Sequence, residues 1–127
     1  MTAQTKRIAI NIGGGYVSGL NAVIAGTVLA ASELGWEVVG IRDGFDGLLF
    51  PDRHPGGGLV KLTTETVGHL SSAAGSILGT AARSDPFHVR SINAELQVEE
   101  IDRSDDLLET IRGHNIDAVI SLAMLRE

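Results

Sequence analysis

The 127-residue chain contains no cysteine. A disulfide framework, a thiolate-ligated metal site and thiol catalysis are all excluded by that absence. Basic residues are scarce as well: ten Lys and Arg stand against sixteen Asp and Glu, a net charge of −6. Phosphate backbones and anionic bilayers attract the opposite sign, so neither nucleic acid nor membrane is an expected partner. No apolar run approaches the roughly 20 residues of a membrane span, and the first eight residues are too polar for a secretory leader. His54, His69, His88 and His114 show neither H-x-x-x-H nor H-E-x-x-H spacing. No metal ligand is assigned among them, and loop or surface roles are expected for all four. The expectation is a soluble, acidic, cytoplasmic domain whose length suffices to bury one core unaided.

Glycine is abundant, with 16 residues gathered mostly in clusters. The most informative cluster is "NIGGGYVSGLN", residues 11–21. Before it, "RIAINI" at 7–12 is a short apolar run that suits a buried parallel strand. After it, "GLNAVIAGTVLAASEL" at 19–34 places Leu20, Val23, Ile24, Val28 and Ala31 near helical spacing, and Gly35 is a natural helix terminator. "WEVVGI" at 36–41 forms a second strand. Strand, glycine loop, helix and strand make a βαβ unit, so the fold class is α/β, a Rossmann-like parallel sheet with flanking helices.

Further along, "PDRHPGGG" at 51–58 is a loop by composition. "LVKL" suits a short strand, and 63–70 suits a helix. Ser104 is the expected N-cap of "DDLLETIRG", with two acids in the first turn, Arg112 in the last and Gly113 closing it. Asp105 and Asp106 are read as first-turn helix residues, and Asp43 and Asp46 as turn formers around Gly44. "IDAVISLAML" supplies a third buried strand over 118–122. No repeat or second domain is discernible.

A strand that ends in glycines before a helix lets backbone N–H groups converge on phosphate oxygens. Gly13, Gly14, Gly15 and Gly19 have that placement. A tight strand-to-helix turn with positive φ accounts for them equally. Neither standard fingerprint is complete: GxxxxGK[ST] is missing, and Gly13-x-Gly15-x-x-Ser18 lacks the third glycine of the dinucleotide pattern. Asp43, just after the second strand, remains available as the ribose-binding acid of a dinucleotide fold.

Four segments together resemble the phosphofructokinase family. "RIAINIGGGYVSGLNAVIAG" is similar to its opening, roughly (I)-x-T-x-G-G-D-A-P-G-(L/M)-N-A-x-I-R. "GWEVVGIRDGFDGLL" is similar to its second strand and loop. "GSILGTAARSDPF" resembles its G-(T/S)-x-L-G-(T/S)…R…(N/D)-P-F segment, and "IDAVIS" the strand leading to the catalytic loop. The matches occur in family order and cover most of the chain. The resemblance implies the N-terminal half of a 6-phosphofructokinase, which phosphorylates fructose 6-phosphate from ATP or pyrophosphate with Mg2+, in a homo-oligomer when full-length. By position it assigns Gly14 and Gly15 to backbone contact with the donor phosphates, and Arg83 to neutralising their charge. "RSDPF" leans toward the pyrophosphate-using or closely related bacterial branch.

The departures bear on activity. Tyr16 stands where the family has an aspartate, Ser18 where it has a proline, and Ala25 where it has an arginine. After "IDAVIS" the family carries G-G-D-G-S or G-G-(D/E)-D-T, whose acid serves the metal, and residues 122–127 here read "LAMLRE". The P-G-T-I-D-N-D segment with the catalytic base is not among these residues. The implied chain is therefore a single truncated domain with no catalytic residue assigned, inactive by itself. The alternative is a non-catalytic nucleotide- or phosphate-binding α/β module.

Overall fold

The computed structural model describes residues 5–13, 19–68, 78 and 86–123. A four-stranded sheet forms its centre. β1 (Arg7–Gly13) runs parallel to β2 (Glu37–Ile41) on one side and to β6 (Ala118–Ala123) on the other. β3 (Leu59–Leu62) adds to the outer side of β2 in the antiparallel sense. The sheet is thus mixed, in the order β3-β2-β1-β6, with the three expected strands as its parallel part. β3 returns antiparallel: only a one-turn helix and loop, residues 42–58, separate it from β2, without the long crossover helix that usually joins parallel neighbours.

α1 (Leu20–Glu33) and the short α3 (Thr64–Val67) cover one face, with Leu78. α2 (Asp46–Leu49) and α4 (Ser104–Gly113) cover the other. Strand alternation separates the two cores: Ile10, Ile12, Val38 and Leu62 face α1, while Ala9 and Ile41 face α4. Each fully buried Ile contributes about 2–3 kcal/mol of apolar transfer, so β1, covered on both faces and paired on both edges, anchors the domain.

α1 buries Asn21, Ile24, Val28 and Ala31, a single stripe at the spacing of one helix face. Val23, expected inside, is 47% exposed because it lies off that stripe. Gly35 takes the left-handed conformation at φ 74 that ends the helix. α4 differs from expectation at both ends. Arg103 is its N-cap, and Ser104 is already helical, its N–H donating to Asp102 Oδ1 at 2.9 Å. The left-handed residue that ends α4 is Asn115, at φ 56, and Gly113 lies within the helix. α3 is capped by Thr63, whose hydroxyl accepts from Thr66 N–H.

A two-stranded hairpin, unforeseen in the sequence, joins β4 (Val89–Ile92) to β5 (Val98–Ile101). Asn93 organises its turn, its side-chain oxygen accepting from the N–H groups of Glu95 and Gln97, and Leu96 sits at φ 62. Only the inner face, through Val89, meets the α4 core.

Candidate functional site

Open α/β sheets bind ligands beyond the carboxyl ends of their strands, where the strand order reverses. Here the chain leaves β1 for β2 on one side and returns as β6 on the other, so the reversal lies between β1 and β6. The two strands meet there through a polar pair: the Ser121 hydroxyl donates to Asn11 Oδ1 at 2.5 Å, and the two residues are register partners. Asn11 is buried. Two residues further, β1 ends at Gly13.

Gly19 stands at the start of α1 with φ 97 and ψ −8. A Cβ at this position would meet nothing within 4 Å. Glycine is needed here for its left-handed backbone and not for space. Among the described residues no side chain caps α1, and its first turn carries no acid. The partial positive charge of its leading N–H groups is therefore left uncompensated by carboxylates of the helix itself.

The end of β2 opens into an excursion over residues 42–58 that is tied at its neck. Arg42 N–H donates to Gly58 carbonyl at 3.0 Å, and Gly47 N–H donates to Arg42 carbonyl at 2.9 Å. Gly47 and Gly58 cross so closely that a Cβ on either would strike the other's backbone. Inside the excursion, His54 Nδ1 lies 3.6 Å from Asp43 Oδ2, and the His54 side chain is only 10% exposed. His54 thus lies in a loop, as expected, with its side chain largely covered. Asp43, at φ 51, turns its carboxylate to His54, which accounts for that acid without a ribose.

Two nitrogens at this end of the sheet are sealed from solvent without a hydrogen-bond partner among the described residues: Arg42 Nε and His54 Nε2. Leu78 reaches the same place. Asp43 N–H donates to Leu78 carbonyl at 2.9 Å. Gly40 leaves the room the Leu78 side chain fills, since a Cβ there would collide with it.

Gly14, Gly15 and Arg83, the residues assigned to the donor from sequence, lie outside the described residues, as do Tyr16, Ser18 and His69. Of the flanking glycines, Gly13 ends β1 and Gly19 opens α1. Leu78, five residues before Arg83, is bound to the loop that follows β2. Sequence reasoning passed over Arg42, whose only signal was an arginine directly after an apolar strand.

Several other titratable groups have structural partners. Arg103 Nε meets Asp106 Oδ2 at 3.0 Å, and the guanidinium groups of Arg53 and Arg103 lie over the Phe50 ring, 4.0 and 5.0 Å from its centre. His88 Nδ1 lies 3.4 Å from Glu100 on the exposed hairpin, and His114 is exposed just after α4. The Ser104 hydroxyl and N–H hold the Asp102 carboxyl below its ordinary value, a capping interaction. Among the described residues no three His, Asp or Glu side chains gather where a metal ion would bind, and no helix is long and apolar enough to cross a membrane.

Residues 7–123 match the protein-family model described as Phosphofructokinase. The chain is 37% identical over 130 residues to ATP-dependent 6-phosphofructokinase 1 of Nostoc sp., an alignment that covers 98% of this chain and 34% of that protein. It is 39% identical over 106 residues to ATP-dependent 6-phosphofructokinase of Chloroflexus aggregans, covering 74% of this chain and 28% of the relative. The chain spans about a third of the length of these curated relatives. Among solved structures, phosphofructokinase from Saccharomyces cerevisiae superposes with a TM-score of 0.69 at 26% identity, over 92% of this chain and 14% of that one. The agreement in sequence over nearly the whole chain, joined to the same fold, makes the protein a member of the phosphofructokinase family.

Proposed function

We propose that residues 1–127 hold the phosphoryl donor of a 6-phosphofructokinase site, at the carboxyl end of β1 and β2. The observation that carries the reading is the left-handed Gly19 opening an uncapped, acid-free α1, in a chain 37% identical to an ATP-dependent 6-phosphofructokinase. Convergent N–H groups and the positive end of a helix suit anionic oxygens. Backbone N–H groups of Gly14 and Gly15 bind the donor phosphates, and Arg83 offsets their charge. ATP is the favoured donor over pyrophosphate, because the relatives' printed activity is ATP-dependent. Magnesium bound with the nucleotide would offset the charge that develops on the transferring phosphoryl group. A cytoplasmic location, fructose 6-phosphate as acceptor and a homo-oligomeric whole enzyme accompany this reading.

Phosphoryl transfer needs a positioned acceptor and a base besides the donor cradle. Residues 1–127 supply the cradle, so the isolated chain binds donor without turnover. A second reading, a phosphate- or nucleotide-binding module with no catalytic role, is favoured by Tyr16 in the place of the family aspartate. Titration calorimetry with Mg-ATP and with pyrophosphate, on wild type, Arg83→Ala and Tyr16→Asp, tests the donor site. Weak wild-type binding, strengthened by Tyr16→Asp and abolished by Arg83→Ala, is expected. Tight wild-type binding that Tyr16→Asp weakens would make the tyrosine a working part of the site and favour the second reading. A coupled assay with fructose 6-phosphate that reached the common enzymatic rate of about 10 per second would refute the inactivity of the isolated chain.

A further inference from the structure

We infer that Arg42 is a second cationic ligand of the donor phosphates, an assignment that rests on the donor site proposed above. Arg42 directly follows β2, two residues beyond Gly40, whose register partner on β1 is Ile10. The same two steps along β1 reach Ile12, the residue before Gly13. Neighbouring strands lie about 4.8 Å apart. The Arg42 backbone is thus held beside the last turn of chain before the glycine run, at the end of the sheet where α/β folds bind ligands.

The side chain is in an unusual state. It is half-buried, and its Nε is dry without an acceptor among the described residues. A guanidinium stays charged at any ordinary pH, and burial of an unsatisfied charged donor is destabilising. The other half-buried arginines are provided for: Arg7 by Glu37 and the His114 carbonyl, Arg103 by Asp106 and Phe50. Its neighbour Asp43 faces His54. Among the described residues no carboxylate lies within ion-pair distance of Arg42. The backbone around it is fixed, by the Gly58 and Gly47 hydrogen bonds at the neck of the excursion. Rigid support around a cation with no counter-charge among the described residues is the arrangement of a residue that waits for an anion. A polyphosphate matches it, because guanidinium pairs with phosphate oxygens through two parallel N–H bonds.

Pyrophosphate is the probe, titrated calorimetrically into wild type, Arg42→Met, Arg42→Lys and Arg83→Ala, with thermal melts of each protein alone. Arg42→Met keeps the apolar stem and removes the charge. It is expected to weaken pyrophosphate by about tenfold while its ligand-free Tm stays level or rises. Arg42→Lys is expected to recover part of the affinity, through charge without the planar fork. A ligand-free Tm lowered by more than about 5 °C in Arg42→Met makes Arg42 structural and overturns the inference. Wild-type affinity in Arg42→Met, with binding lost in Arg83→Ala, overturns it while leaving the donor site intact. Absence of any pyrophosphate binding to the wild type removes both.

Discussion

The two ends of the central sheet treat an arginine in opposite ways. At the amino end, Arg7 is satisfied from every side. Its N–H donates to Asp117 Oδ2 at 2.8 Å, its Nε to Glu37 Oε2 at 3.0 Å and its Nη1 to the His114 carbonyl at 2.6 Å. One side chain there staples β1, β2 and the turn before β6. At the carboxyl end, among the described residues, Arg42 has a dry Nε with no acceptor, and α1 starts without a cap or an acid. One end of the sheet is finished by its own residues, and the other leaves charge unanswered. Such a division is what a scaffold with one binding end requires, because strain and missing partners persist where function uses them.

Each end can be broken separately, and the effects should rank. Gly58→Ala is the harshest change, since its Cβ meets the Gly47 backbone, which cannot rotate away. A loss of about 3 kcal/mol or more is expected, in the upper range of overpacking, seen as a lower urea midpoint. Gly40→Ala strikes only the Leu78 side chain and should cost less than Gly58→Ala in the same titration. Equal losses would show that Leu78 is as fixed as backbone.

Arg7→Ala should destabilise by about 1–2 kcal/mol. The carbonyl bond gives most of that, because the Glu37 pair, with side chains 36% and 46% exposed, is screened by solvent. Arg42→Met, by contrast, should cost nothing in stability. If both arginines proved equally stabilising in chemical denaturation, the asymmetry between the ends would be lost.

The smallest effect concerns pH. The folded Asp102 carboxyl titrates below its unfolded value because the Ser104 hydroxyl and N–H bind its charged form. Its contribution is present above the unfolded carboxylate value, about 3.9, and is lost as pH falls through the lower folded value. Asp102→Asn should lower stability slightly near neutrality, where the charged carboxylate holds the Ser104 bonds, and match wild type in acid, which flattens the acid limb of the pH–stability curve.

The parallel strands and the two long helices were legible because burial on both faces writes itself as apolar runs and 3.6-residue stripes. The hairpin over 89–101 escaped notice for the converse reason. Its strands, "VRSI" and "VEEI", are short and half polar, and Ile92 and Val98 are each 69% exposed. A turn built from an Asn93 side chain and a left-handed Leu96 carries no Asn-Gly or Asp-Gly signal. The glycine run was readable as a phosphate loop only by position and resemblance. The covering of the His54 side chain and of Arg42 Nε accompanies the closure of 42–58 through two glycines, a tertiary event with no local pattern to announce it.

The pairing of Asn11 with Ser121 joins residues 110 apart in sequence. On the ribosome, β1 gains β2 as a neighbour early, but its second edge stays open until β6 has left the exit tunnel. Closing so long a loop is slow, and an unpaired strand reading "IAINI" is adhesive in the meantime. Nascent chains arrested before residue 118 should therefore be the aggregation-prone species, and those released with β6 in place should not.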